Sequence, residues 1–263
     1  MTSSSAPVLH AEGLGKRYRN RWALIDCTLS VPSGRVVGLV GPNGAGKTTL
    51  LNLAVGLLRP DTGRLTVLDA APAADAAHLA RVGFVAQDAP VYANLTVADH
   101  LRIGARLNPR WDTALAAARI TAVGLPPKAK ARTLSGGQRA QLALTLAVAK
   151  RPDLMILDEP AAALDPLARR EFLDGLADAV TGTGMSVVLS SHLVSDLERV
   201  CDHLIILTTG RVQANGAVRD LLAAHRAENG PRASVEDMVL AYLSRGRPID
   251  RTVAVDRAEG GPR

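Results

Sequence analysis

The chain has 263 residues, 47% apolar, 3% aromatic and 21% charged, and its 31 Lys and Arg against 25 Asp and Glu leave a formal charge of +6. That length allows one large domain or two small ones, with a core of Leu, Val, Ile and Ala because aromatics are scarce. The basic residues are scattered with no run of five or more, the pattern of solvated side chains, so no nucleic-acid partner is expected. No apolar run approaches the ~18 residues of a membrane-crossing helix, and residues 1–7 lack the apolar centre of a signal peptide, so a membrane role has to come through a partner. Cys27 and Cys201 form no CxxC pair and read as small hydrophobes in a reducing cytoplasm.

In chain order, residues 8–14, 24–31 and 36–40 are rich in β-branched and aliphatic residues and read as strands, broken by Asn20-Arg21 and Pro32-Ser33-Gly34. A glycine-rich turn at 41–46 leads into a helix over 47–57, and strands follow at 64–68 and 82–86. Between about 88 and 150 the periodicity turns helical, at 96–107, 113–123 and 137–149. Short apolar strands return at 154–157 and 186–189, each followed by helical sequence, and a late hairpin spans 203–207 and 211–213. Continuous apolar strands alternating with helices predict an α/β fold with a buried, mainly parallel sheet, preceded by an antiparallel β subdomain and interrupted by a helical one. The tail from about Thr252 is charged, Gly-rich and expected to be mobile.

Gly41-Pro42-Asn43-Gly44-Ala45-Gly46-Lys47-Thr48 matches GxxxxGK[ST] and lies between a strand and a helix, the context that the motif requires. Its glycines let successive N–H groups face one anion, and the helix start adds the positive end of its dipole. Lys47 brings a point charge to the β- and γ-phosphates and Thr48 a hydroxyl for Mg²⁺, with Thr49 next in the nucleotide-binding stretch. A GxGxxG dinucleotide site fits poorly, because Lys47 and Thr48 have no role there. The apolar strand before Asp158-Glu159-Pro160 delivers two acids to the sheet's C-terminal edge, Asp158 to hold Mg²⁺ and Glu159 to polarise the attacking water.

Leu134-Ser135-Gly136-Gly137-Gln138 stands upstream of Asp158 at the start of a predicted helix. With these five residues added to the two phosphate motifs, the chain resembles the ATP-binding cassette family over roughly residues 8–225. Physically they form a second anion site: the Ser135 hydroxyl, the exposed N–H groups of Gly136 and Gly137, and a helix N-terminus beside Gln138. The resemblance implies that this site serves the ATP of a second cassette, so that two chains, expected to be identical, pack head to tail with twofold symmetry. It also implies that Tyr18 stacks on adenine, that Gln87 touches Mg²⁺ and water, that His192 meets the γ-phosphate, and that Asp165 marks the loop crossing the dimer. Ala161 and Ala162 stand where hydroxyl residues are common in the family, which puts a hydrogen bond of that loop in doubt. His10, His78, His100, His203 and His225 match nothing and read as structural or surface.

The expected organisation is therefore a flexible stretch at 1–7, an ATPase domain at 8–225 with its helical subdomain at about 88–150, and a C-terminal helix and tail at 226–263. The expected function is the energy-coupling ATPase of a transporter at the cytoplasmic face of the membrane, with separate transmembrane permease subunits. Residues 91–97, 108–112 and 236–243 resemble drug- and antibiotic-export cassettes, and too few residues follow His225 for the β-rich regulatory domain usual in sugar importers, so export is favoured. The rival is a soluble cassette ATPase acting in DNA repair or on ribosomes. No heptad run between Lys47 and Ser135 supplies the coiled coil of the first, and the single cassette does not fit the second.

Overall fold

A two-residue turn at Arg19-Asn20 starts the fold, with Arg19 at φ 51°. The computed structural model describes residues 6–87, 91–181 and 183–245; residues 1–5 and the tail from Thr252 lie outside the described residues. Strand β1 (Leu9–Tyr18) pairs antiparallel with β2 (Arg21–Val31) on one side and with β4 (Thr62–Val67) on the other, forming a three-stranded sheet. Both strands of the hairpin run further toward the turn than their apolar stretches predict. The cross-strand pairs Tyr18–Arg21 and Arg17–Trp22, the latter with the Arg17 guanidinium 5.6 Å from the ring centroid, carry the ladder through polar sequence.

The second sheet has the order β5-β6-β7-β3-β8-β9 and comprises β5 (Val82–Val85), β6 (Leu154–Leu157), β7 (Ser186–Ser191), β3 (Val36–Val40), β8 (His203–Thr208) and β9 (Arg211–Ala217). It is parallel except at the β8–β9 hairpin. Except at the half-exposed edge strand β9, its strands are buried on both faces, and alternate residues enter different cores. Leu154 and Ile156 join a core shared with the antiparallel sheet, whereas Met155 and Leu157 join one built with Phe172, Leu176 and Met238.

Helix α1 (Lys47–Ala54) packs on β2 and β4. It is a turn shorter than its periodicity predicts, because Gly56 enters the left-handed region at φ 77° and the chain folds back through the Leu57 N–H to the Asn52 carbonyl. Helix α2 (Ala76–Arg81) has no counterpart in the sequence reading; its Asp75 cap, accepting from the His78 N–H at 2.7 Å, is the signal that was available. Between β5 and β6 lie α3 (Val97–Leu107), α4 (Thr113–Ala122) and α5 (Gly136–Ala149), around a small core of Val97, Ile120, Leu125, Leu134 and Leu142.

Helices α6 (Pro166–Val180) and α7 (Val194–Val200) follow β6 and β7, and α8 (Val218–Asn229) and α9 (Val235–Arg245) close the described chain. Helix α8 runs through residue 225, and Met238 and Val239 of α9 are fully buried against the second core. No helix among the described residues is long and apolar enough to cross a membrane.

Candidate nucleotide site

Three adjacent strands, β6, β7 and β3, end at the same edge of the sheet, and each hands the chain to one part of the site. Beyond β3 the loop 41–46 bends tightly. A side chain at Gly41 would run into the Leu207 carbonyl, and Gly46, at φ 107°, would bring one to 2.5 Å from the Ala23 carbonyl. Gly46 caps α1 with no side-chain hydrogen bond, which leaves the first N–H groups of that helix for an anion. Lys47, only 5% exposed, donates to the carbonyls of Gly41 at 2.7 Å and Pro42 at 3.3 Å, and pairs with Glu159 Oε1 at 3.0 Å.

Beyond β6, Asp158 and Glu159 are both buried, and Glu159 takes a left-handed backbone with φ 44°. Beyond β7, His192 reaches Glu159 Oε2 through Nδ1 at 2.8 Å. Burial works to raise the Glu159 carboxyl, but the hydrogen bonds and charges of Lys47 and His192 outweigh it and hold it below its ordinary value. No motif in the sequence marks Ser190, whose hydroxyl bonds both the Asp158 carboxylate and the Glu159 N–H. A serine inside the apolar strand β7, two residues before His192, was the available signal.

The structure therefore brings Lys47, Asp158, Glu159 and His192 together with the glycine loop. Thr48 is exposed at the start of α1, Thr49 is half-buried beside it, and Pro42, Asn43 and Gly44 are exposed around a half-buried Gly46 and a buried Ala45. Gln87 is exposed just past β5, the strand flanking β6, and Tyr18 is 47% exposed at the tip of the β1–β2 hairpin.

The glycine cradle, the uncapped helix start and a buried lysine fit a phosphate chain. Among the described residues no group of three or more His, Cys, Asp or Glu could hold a metal by itself. Thr48, Asp158 and Gln87 would be a sparse ligand set, of the kind Mg²⁺ completes with phosphate oxygens and water.

The turn 134–138 does not join this cluster. Leu134 is buried in the helical core, whereas Ser135 and Gly136 are exposed. The hydrogen bonds of the turn stay local. Ser135 Oγ accepts from the Gln138 N–H at 3.1 Å, Gln138 Oε1 accepts from the Ser135 N–H at 2.9 Å, and together they form a capping box on α5. Gly137 lies against Ala168 of α6, where an added side chain would come within 2.8 Å of the Ala168 Cβ. Asp165 is exposed and caps α6, accepting from the N–H groups of Leu167 and Ala168 at 3.0 Å each.

Known proteins resemble this chain along most of its length. The profile of the ABC transporter family matches residues 24–162. Nod factor export ATP-binding protein I of Ralstonia nicotianae is 34% identical over 227 residues, 83% of this chain and 70% of its own length. Molybdenum import ATP-binding protein ModC of Mycobacterium tuberculosis is also 34% identical, over 231 residues, 82% of this chain and 62% of its own length. A solved ATP-binding subunit of an ABC transporter superposes with a TM-score of 0.77 at 28% identity, covering 89% of this chain and 99% of that one. The chain belongs to the ATP-binding cassette family of ABC transporters, whose cassettes are ATPases.

Proposed function

We propose that this cassette is the energy-coupling subunit of a membrane exporter and works as a head-to-tail pair of identical chains that ATP closes and hydrolysis reopens. One observation carries the reading. The phosphate loop, Lys47, Glu159 and His192 form one cluster, while the second anion-binding turn, at 134–138, is exposed and bonded only within its own segment. Each chain then offers two half-sites, and twofold pairing completes both.

In this reading the loop 41–46 and the start of α1 bind the phosphates, Tyr18 stacks on the base, and Lys47 leaves its carbonyl partners to neutralise the β- and γ-phosphates. Ser135, Gly136, Gly137 and Gln138 of the second chain grip the γ-phosphate from the other side, with Asp165 in the loop that crosses between the chains. Thr48, Gln87 and Asp158 would hold Mg²⁺, which would supply charge neutralisation on the phosphate oxygens. Glu159 accepts the proton of the attacking water as its oxygen bonds to the γ-phosphorus and the bond to ADP breaks, and His192 holds the γ-phosphate in line. ATP favours the closed pair because only there does its γ-phosphate meet both half-sites, and that difference in affinity drives closure.

Coupling to a permease is supported by an apolar groove of about 380 Å³ lined by Leu57, Leu79, Phe84, Ala143 and Leu146, near Gln87 and the helices α3 and α5. Leu57 and Leu79 are exposed there, Leu107 is exposed next to the lining residue Asn108, Tyr92 is exposed beyond Gln87, and such a patch suits a cytoplasmic segment of a transmembrane subunit. In this reading the cassette works at the cytoplasmic face of the membrane. Export is supported by the resemblance of residues 91–97, 108–112 and 236–243 to export cassettes and by the Nod factor export relatives. The molybdenum import relative keeps import as the competing direction.

Glu159→Gln tests the mechanism. The variant should bind ATP, lose hydrolysis by about 10²–10⁴-fold and accumulate as a dimer in ATP on gel filtration. Near-normal turnover would remove Glu159 from the base role.

A further inference from the structure

Ser190 is fully buried in β7 and uses its single hydroxyl twice. It accepts the Glu159 N–H at 2.8 Å and donates its own hydrogen to Asp158 Oδ1 at 2.7 Å. The parallel register explains the meeting. Leu157, the last residue of β6, lies beside Leu189, so the chain leaves β6 level with Ser190. The Asp158 N–H still finds a ladder partner on the other side, the Val85 carbonyl at 2.9 Å. The Glu159 N–H takes a hydroxyl in place of a ladder carbonyl.

That hydroxyl sits where the backbone is least at ease. A non-glycine residue with φ 44° is strained and persists only where its surroundings fix it. Besides the Ala162 N–H on its carbonyl, three side chains hold Glu159: Lys47 and His192 at its carboxylate, and Ser190 at its backbone N–H. Lys47 and His192 have business with phosphate during the reaction, whereas Ser190 is sealed from solvent behind both acids.

We infer that Ser190 is a positioning residue for the acid pair, its one hydroxyl setting the direction of the Asp158 carboxylate and the backbone turn of Glu159 together. The inference rests on the roles proposed above for those two acids. Because one oxygen atom serves both, the metal-holding group and the base keep a fixed relation as the cassette opens and closes. Without it, a buried N–H is left unpaired and Asp158 is free to rotate.

The isosteric pair Ser190→Thr and Ser190→Val separates the hydroxyl from the volume of the side chain, with Ser190→Ala as the cavity control. In the full-length chain, Ala and Val should lower kcat by about 10- to 100-fold with the KM for ATP within about twofold, and Thr should stay within about threefold of wild type. ATP binding in EDTA, measured by calorimetry, should be unchanged in all three, because Lys47 and the loop carry it. Mn²⁺ binding to the ADP complex, followed by electron paramagnetic resonance, should weaken in Ala and Val alone.

Equal behaviour of Thr and Val, full kcat in Ala, or metal-free binding lost as steeply as kcat would each overturn the inference. If Val does not fold, Ala against Thr gives the same decision. Glu159→Gln, assayed alongside, separates the two levels: if it is inactive while Ser190→Ala is fully active, only the positioning role fails, and if it turns over normally, the base role itself fails.

Discussion

Glu159 sits between Lys47 and His192 at a bend that disfavours its own backbone, and the balance has a pH signature. Its folded carboxyl lies below the ordinary 4.5, because Lys47 and His192 outweigh the effect of burial. A carboxylate with a depressed folded value stabilises the protein fully above its unfolded value, and that contribution disappears as the pH falls through the folded one. Urea unfolding followed from neutral pH to below 4.5 should therefore show wild type more stable than Glu159→Gln at neutral pH, with the gap closing in acid. Parallel curves would mean that the Lys47–Glu159 pair makes no net contribution. At this scale the placement was legible, since Lys47, Asp158 and Glu159 stand in motifs that mark them and the fold gathers them at one sheet edge. The lysine's resting place on Glu159 was not legible, because it depends on which strands become neighbours.

Helix starts set the geometry of both proposed anion sites, and most of them can be read from single residues. Thr96, Asp112, Ser135 and Asp165 each accept an N–H from the first turn of α3, α4, α5 and α6, and each precedes an apolar-periodic stretch. Gly46 departs from that pattern, leaving α1 uncapped where phosphate is expected. Asp165→Ala should remove the cap of α6 at a cost of about 1 kcal/mol. That corresponds to a melting temperature lower by roughly 2–4 °C in a domain of this size. An unchanged melting temperature would show that Pro166 and tertiary packing hold α6 without the cap. Element ends were less legible where turns decide them. Helix α1 stops early at a left-handed Gly56, and α2 is too short for its periodicity to show.

Across the whole molecule, the order β5-β6-β7-β3 places three segments far apart in sequence on one edge, while Leu134 anchors the turn 134–138 in a separate helical core. Alternation of short apolar strands with helices was enough to predict a mainly parallel sheet. It could not give the strand order, which is fixed by long-range packing. In the proposed reading the cassette carries two unlike halves of a nucleotide site, and the central consequence is intermolecular. Chains bearing Asn43→Cys in the phosphate loop should be mixed with chains bearing Ser135→Cys in the exposed turn, both in the Glu159→Gln background, and oxidised with and without ATP. The account predicts a disulfide-linked heterodimer that forms with ATP and not without it. Equal crosslinking in both conditions, or none in either, would contradict the shared grip on the γ-phosphate.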